Sequence, residues 1–151
     1  MRPPIQDNDS YIGQLLIKDG IINRDDLTRG LEEQKRAQDH LCATLVRMGF
    51  ASEEKVFSIL SLQIGIPYLN LKDAQIDPVV LHRMPVKLAR AFKCVLLRFV
   101  DGVPFLAMAD PLNTRAVKEI QAYLGVDKAK IFLAGDQEIT LALQKYYEPA
   151  S

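Results

Sequence analysis

A segment of 24 residues occurs twice near the start of this 151-residue chain, and this repeat constrains the fold more than any other feature. Residues 11–34 align with residues 40–63 at a constant offset of 29, across a polar spacer of five residues. Apolar positions align with apolar positions, and Gly20 aligns with Gly49. Because a repeat of this length is one supersecondary unit used twice, the sequence predicts a small pseudo-symmetric layer.

Each copy is predicted to form a short helix followed by a longer one. Gly20 and Gly49 follow the short helices, where glycine adopts the left-handed conformation at little cost. Asn23 and Ser52 are predicted to cap the N-termini of the longer helices. Acidic residues follow both caps, and the helix dipole favours them there. The repeat therefore predicts four helices in two similar pairs.

The longer helix of each copy carries an apolar face that ends in a glutamine. These residues are spaced i, i+4, i+7, which places them on one side of a helix. They are Leu27, Leu31 and Gln34 in the first copy, and Val56, Leu60 and Gln63 in the second. Leucines at this spacing usually form a core, but an amide on such a face needs hydrogen-bond partners. The glutamines are therefore candidate ligand contacts, with a simple four-helix packing unit as the alternative.

From Tyr68 the pattern changes to short strands that alternate with helices. The sequence predicts an α+β fold, with residues 1–10 as a flexible lead-in, a helical subdomain at 11–67 and a mixed α/β subdomain at 68–148. In the latter, Asp101-Gly102 indicates a hairpin and Pro85 breaks a helix. The predicted strands are 68–71, 94–99, 103–108 and 130–134, and the predicted helices are 79–92, 114–124 and 136–146.

Composition and motifs argue against several classes of function. Lys and Arg number 19, as do Asp and Glu, so the formal net charge of 0 disfavours general nucleic-acid binding. Cys42 and Cys94 form no CxxC pair, and the two histidines add too little for a zinc site. No apolar stretch is long enough to span a membrane. The chain also lacks a Walker A loop and any familiar catalytic motif, so we expect neither catalytic residues nor a metal.

The paired segments resemble the motif of the MshEN domain, the N-terminal module of type II secretion and type IV pilus assembly ATPases. That motif is a 24-residue pattern that begins Arg-Leu-Gly and ends in Gln, written twice with a five-residue spacer. The resemblance is close over residues 11–67 and looser to about residue 148. In that family the two motifs bind cyclic di-GMP. The resemblance implies a non-catalytic regulatory module with this nucleotide as its candidate ligand and no other cofactor.

The resemblance also assigns the candidate ligand-binding residues. They are Tyr11, Ile12, Gly13, Leu16, Leu27, Leu31 and Gln34 in the first copy, and His40, Leu41, Cys42, Leu45, Val56, Leu60 and Gln63 in the second. Tyr11 replaces the arginine of the pattern and can stack on a base without supplying charge. Cys42 replaces a glycine. Backbone N–H groups near Gly13 are expected to meet a phosphate at a helix N-terminus.

A docking role is the alternative function. The chain would then bind a secretion or pilus ATPase core, or the cytoplasmic part of an inner-membrane platform protein, without a nucleotide. Tyr11 and Cys42 favour this docking role, whereas the two glutamines and the exact spacing of the two segments favour ligand binding. Either role implies a cytoplasmic bacterial protein that reaches the membrane only through a partner.

Overall fold

The structure is a computed structural model that describes residues 5–37 and 41–147, with side chains from residue 11 onward. It divides into two compact units, Met1–Gly65 and Ile66–Ser151. The first unit contains four helices, α1 (Ile5–Lys18), α2 (Arg24–Ala37), α3 (Leu41–Arg47) and α4 (Glu53–Ile64). The second contains helices and a small sheet in the order α5 (Pro78–Leu81), α6 (Val86–Phe92), β1 (Cys94–Val100), β2 (Val103–Met108), α7 (Thr114–Leu124), β3 (Lys130–Leu133) and α8 (Asp136–Tyr147).

The prediction of two helices per copy is confirmed by the glycines that end α1 and α3. Gly20 has φ 73° and Gly49 has φ 81°. The Gly20 amide donates to the Ile17 carbonyl at 3.0 Å, and the Ile21 amide donates to the Leu16 carbonyl at 2.9 Å. The same pair of bonds, shifted by 29 residues, follows α3. This is the Schellman motif, in which a left-handed glycine satisfies the last helical carbonyls.

Both predicted N-caps are also confirmed. The Asp26 amide donates to Asn23 Oδ1 at 2.8 Å, and the Asn23 amide donates to Asp26 Oδ2 at 3.2 Å. This reciprocal pair is a capping box, which satisfies two amides at the start of α2. At α4 the Lys55 amide donates to Ser52 Oγ at 3.3 Å.

Helix α1 begins earlier than the sequence predicts. It starts at Ile5, so residues 5–10, predicted as a flexible lead-in, are helical, and residues 1–4 lie outside the described part. Extending an existing helix costs far less than nucleating one. The buried Ile12 and Leu16 anchor the helix, and its backbone continues into a polar segment that shows no apolar periodicity.

The longer helix of each copy packs against the short helix of the other copy. Helix α2 contacts α3, and α4 contacts α1 as well as α3. Glycine permits the close approach of α2 to α3, since a Cβ atom on Gly30 would lie 2.6 Å from Leu45 Cδ2. The two copies are therefore interleaved, and their shared core consists of Ile12, Leu16, Ile22, Leu27, Leu41, Cys42, Leu45, Val56 and Phe57.

The second unit is built on a three-stranded mixed sheet in the order β1-β2-β3. Strands β1 and β2 are antiparallel, and β2 and β3 are parallel across the connection through α7. Asp101 (φ 51°) and Gly102 (φ 78°) both have positive φ, as a type I′ turn requires, so the predicted hairpin is confirmed. Together with the helical first unit, this sheet confirms the α+β fold class.

The predicted strand at residues 68–71 is wrong. Only a bridge between Tyr68 and Leu133 forms, with the Leu69 amide donating to the Leu133 carbonyl at 2.8 Å. Asn70 then turns the chain, because its Oδ1 accepts from the Lys72 amide at 3.0 Å. Such an Asx turn competes with strand pairing. The break at Pro85 is confirmed, since α5 ends at Leu81 and Pro85 is the N-cap of α6.

Candidate functional site

On both α2 and α4, the helix face that ends in a glutamine runs from the core to the surface. Their first members, Leu27 and Val56, are 7% and 0% exposed. Leu31 and Leu60 are half-buried, Gln34 is half-buried, and Gln63 is exposed. The last part of each face therefore presents a leucine and a glutamine to solvent, and the first part belongs to the core.

Most of the remaining candidate residues are buried in the first unit. The buried candidates are Ile12, Gly13, Leu16, Leu27, Leu41, Cys42, Leu45 and Val56. A solvent-borne ligand does not reach such side chains, so in this arrangement they fix the positions of the helices. Tyr11 is 54% exposed. His40 lies outside the described residues.

The prediction that backbone N–H groups near Gly13 meet a phosphate at a helix N-terminus is wrong. Gly13 lies inside α1 (Ile5–Lys18), where backbone N–H groups are used by the hydrogen bonds of the helix. A Cβ atom at this position would lie 2.5 Å from Leu27 Cδ1. Gly13 is therefore a point of close contact between α1 and α2. The earlier start of α1 removes the helix N-terminus from this position.

An ion cluster that the sequence did not predict joins the two copies. Glu33 on α2 accepts from Arg36 Nε at 2.8 Å and from Arg36 Nη2 at 2.7 Å. Arg47 of α3 adds a third bond, from Nη1 to Glu33 Oε2 at 3.1 Å. The hydrogen bonds from Arg36 and Arg47 lower the pKa of the Glu33 carboxyl, and Glu33 in turn raises the pKa of Arg36. The spacing of Glu33 and Arg36 is visible in the sequence, but the approach of Arg47 is not.

The second copy does not reproduce this cluster. At an offset of 29, Glu33 corresponds to Leu62, Arg36 to Gly65, and Arg47 to Lys18. Leu62 is 81% exposed and lies next to the exposed Gln63. The C-terminal parts of the two long helices therefore differ in chemistry. The end of α2 is charged, and the end of α4 presents an apolar side chain to solvent.

Within 5–37 and 41–147, no group of three or more His, Cys, Asp or Glu side chains could hold a metal ion. In that same part of the chain, every helix is too short or too polar to cross a membrane.

The family model described as the MshEN domain matches residues 64–151. The match begins at the end of α4 and covers the second unit, although the motif resemblance is closest over residues 11–67. The type IV pilus assembly ATPase PilB of Myxococcus xanthus is 29% identical over 136 residues, which is 90% of this chain and 24% of that protein. PilB of Pseudomonas aeruginosa is 22% identical over 142 residues, covering 94% of this chain and 25% of that protein. The chain thus spans about a quarter of the length of these relatives.

Solved structures share the fold over nearly the whole chain. A structure of MshE with cdg (cyclic di-GMP) superposes with a TM-score of 0.69 at 25% identity, covering 90% of this chain and 98% of that one. The N-terminal domain of XpsE superposes with a TM-score of 0.71 at 17% identity, covering 97% of this chain and 98% of that one. The second comparison shows a common fold.

Proposed function

This chain belongs to the MshEN domain family, and we propose that it is a non-catalytic regulatory module that binds cyclic di-GMP through its two 24-residue segments. One observation carries the proposal. In both copies, near the end of the long helix, a half-buried leucine is followed three residues later by a glutamine that is half-buried (Gln34) or exposed (Gln63). A pair of matching apolar and amide groups suits a ligand that itself has two equivalent halves. The structure of MshE with cdg, a relative at 25% identity, supports the choice of nucleotide.

Some of the described side chains would touch the ligand, and others would hold those side chains in position. Leu31 and Leu60 would pack against the guanine faces, and the amides of Gln34 and Gln63 would hydrogen-bond the ligand. An amide suits a base edge because it offers both donors and an acceptor. Tyr11, at 54% exposure, would stack on a base in place of the arginine in the family pattern. The buried candidates would hold these groups in place.

Binding becomes a signal only when it favours one of two states of the protein. A ligand that contacts both segments would oppose any movement that separates them. Binding would therefore favour the state in which the helices are interleaved. We propose that this bias passes to a secretion- or pilus-type motor, in keeping with the pilus ATPases among the relatives. The chain would act in the bacterial cytoplasm and reach the membrane only through its partner.

A docking role has its own support. Leu62 is 81% exposed on α4, and the buried centre of a protein interface is more apolar than the rest of the surface. In this second candidate function, the end of α4 would bind a secretion or pilus ATPase core or the cytoplasmic part of an inner-membrane platform protein. No nucleotide would then be required.

Titration calorimetry of the chain with cyclic di-GMP, with GTP as the control ligand, tests the proposal. We expect saturable binding in the micromolar range or tighter. Gln34→Ala and Gln63→Ala should each weaken it roughly tenfold, the effect of losing one good hydrogen bond to the ligand. Gln121→Ala is the matched control for Gln34→Ala, because Gln121 is likewise a half-buried helical glutamine but lies on α7. The absence of heat from a folded chain would contradict ligand binding and favour docking.

A further inference from the structure

A cavity of about 290 Å³ lies in the second unit, which contains neither of the repeated segments. Its lining comes from the end of α6 and from one face of α8. The lining residues are Arg90, Lys93, Thr140, Leu143 and Gln144. Two cationic side chains thus face a helix that offers a hydroxyl, an amide and a buried leucine. None of these residues takes part in the proposed nucleotide site.

Lys93 occupies a backbone position that glycine would occupy without strain. It follows α6 with φ 48°, in the left-handed region where a Cβ atom is unfavourable. The equivalent positions after four other helices of the chain are Gly20, Gly49, Gly65 and Gly125. Non-glycine residues in this conformation concentrate at functional sites, where the side chain is needed.

The contacts of the Lys93 side chain within the chain are weak. Its Nζ donates to Thr140 Oγ1 at 3.3 Å and lies 3.7 Å from Asp136 Oδ1. The Lys93 and Asp136 side chains are 46% and 37% exposed, and ion pairs this exposed to water contribute little to stability. Thr140 itself donates to the Asp136 carbonyl at 3.0 Å. These contacts hold the ammonium group beside the cavity.

We propose that this cavity binds the phosphoryl group of a small organic phosphate, with Lys93 and Arg90 as its cationic contacts. A guanidinium offers a planar fork of donors and an ammonium a compact charge, and both suit phosphate oxygens. Leu143 and the Gln144 amide face the remaining part of the ligand. The volume lies near the lower end of the roughly 300–1,000 Å³ range of ligand pockets, which suits a molecule the size of glycerol 3-phosphate.

The test is an NMR titration of the 151-residue chain with glycerol 3-phosphate, inorganic phosphate and acetate. We expect saturable shifts confined to amides of α6 and α8, with glycerol 3-phosphate binding more tightly than the other two. Lys93→Gly should weaken binding roughly tenfold or more, because a charge-assisted hydrogen bond is lost. Its melting temperature should stay the same or rise, since glycine accepts φ 48° without strain. Lys87→Ala, which removes an equal charge from an exposed position on α6, should leave binding nearly unchanged.

Several outcomes would overturn the assignment. If Lys93→Gly and Lys87→Ala weaken the binding of glycerol 3-phosphate equally, the ligand is attracted by positive charge in general and does not bind this cavity. Acetate that binds as tightly as glycerol 3-phosphate would show a carboxylate pocket, and inorganic phosphate that does so would show that the organic part is not recognised. Chemical-shift changes that do not saturate and that occur in both units would show that the cavity has no specific affinity for phosphate.

Discussion

Gly30 of α2 and Leu45 of α3 are in such close contact that a Cβ atom on Gly30 would lie 2.6 Å from Leu45 Cδ2. Leu45 is fully buried, so its side chain has little room to withdraw. This contact joins the long helix of one copy to the short helix of the other. The packing of the two copies therefore depends on a residue without a side chain inside a helix, where glycine is otherwise unfavourable.

Gly30→Ala should destabilise the chain although alanine is the better helix former. The gain in helix propensity is about 1 kcal/mol, and overpacking a buried contact costs about 1–3 kcal/mol. We expect a net loss of about 1 kcal/mol in the free energy of unfolding, measured by urea denaturation. In a Leu45→Ala background the clash is gone, so the same Gly30→Ala change should raise stability. A loss of equal size in both backgrounds would contradict the role of this contact.

The same helices contain contacts that the sequence predicts and contacts that it does not. Gly20, Gly49 and Asn23 were predicted correctly because each acts through bonds within a few residues of itself. The ion pair of Glu33 with Arg47 joins different helices, and only the tertiary packing brings the two side chains together. Helical periodicity identified one face of each long helix but could not say how far along that face the core extends.

Glu33→Gln should lower stability at neutral pH and make it less sensitive to acid. The arginines around Glu33 lower its pKa in the folded chain, so the carboxylate stabilises the fold above its ordinary pKa. That contribution is lost as the pH falls through the lowered folded-state pKa. We expect the melting temperatures of the two proteins to converge in acid.

Glu32→Gln is the matched control for this change, because Glu32 is an exposed carboxylate at the neighbouring position of α2. It should leave the melting temperature at neutral pH nearly unchanged. If Glu32→Gln and Glu33→Gln lower it equally, the cluster has no specific role in holding α2 to α3.

Tyr147→Phe should destabilise the second unit. The Tyr147 hydroxyl lies 2.8 Å from the Leu81 carbonyl and 2.7 Å from the Met84 carbonyl, and it links α8 to the end of α5 and to the segment that follows. Removing the hydroxyl takes one donor away from these two partly buried carbonyls, at a cost of about 1–2 kcal/mol in the free energy of unfolding. Tyr123→Phe, at 56% exposure, should change it little. A neutral effect of Tyr147→Phe would contradict this link.

The same tyrosine should make the fold sensitive to alkali. Burial raises the pKa of Tyr147 to about 12 from an ordinary 10.0, so the folded chain keeps a proton that the unfolded chain releases. Stability should therefore fall as the pH rises from about 10 to 12, and this fall should be smaller in Tyr147→Phe. Urea denaturation at several alkaline pH values measures the difference. An unchanged slope would show that Tyr147 titrates as an ordinary tyrosine.

Leu62→Ser separates the docking function from ligand binding. Leu62 is 81% exposed, so its replacement should change the free energy of unfolding by less than about 0.5 kcal/mol. If the end of α4 binds a protein partner, losing this apolar contact should weaken that complex roughly tenfold, as expected for a central interface residue. Binding of cyclic di-GMP should be retained. Surface plasmon resonance with a pilus ATPase core as the analyte measures the first effect and calorimetry the second. Loss of nucleotide binding with the complex intact would place Leu62 in the ligand site and contradict the docking role of this surface.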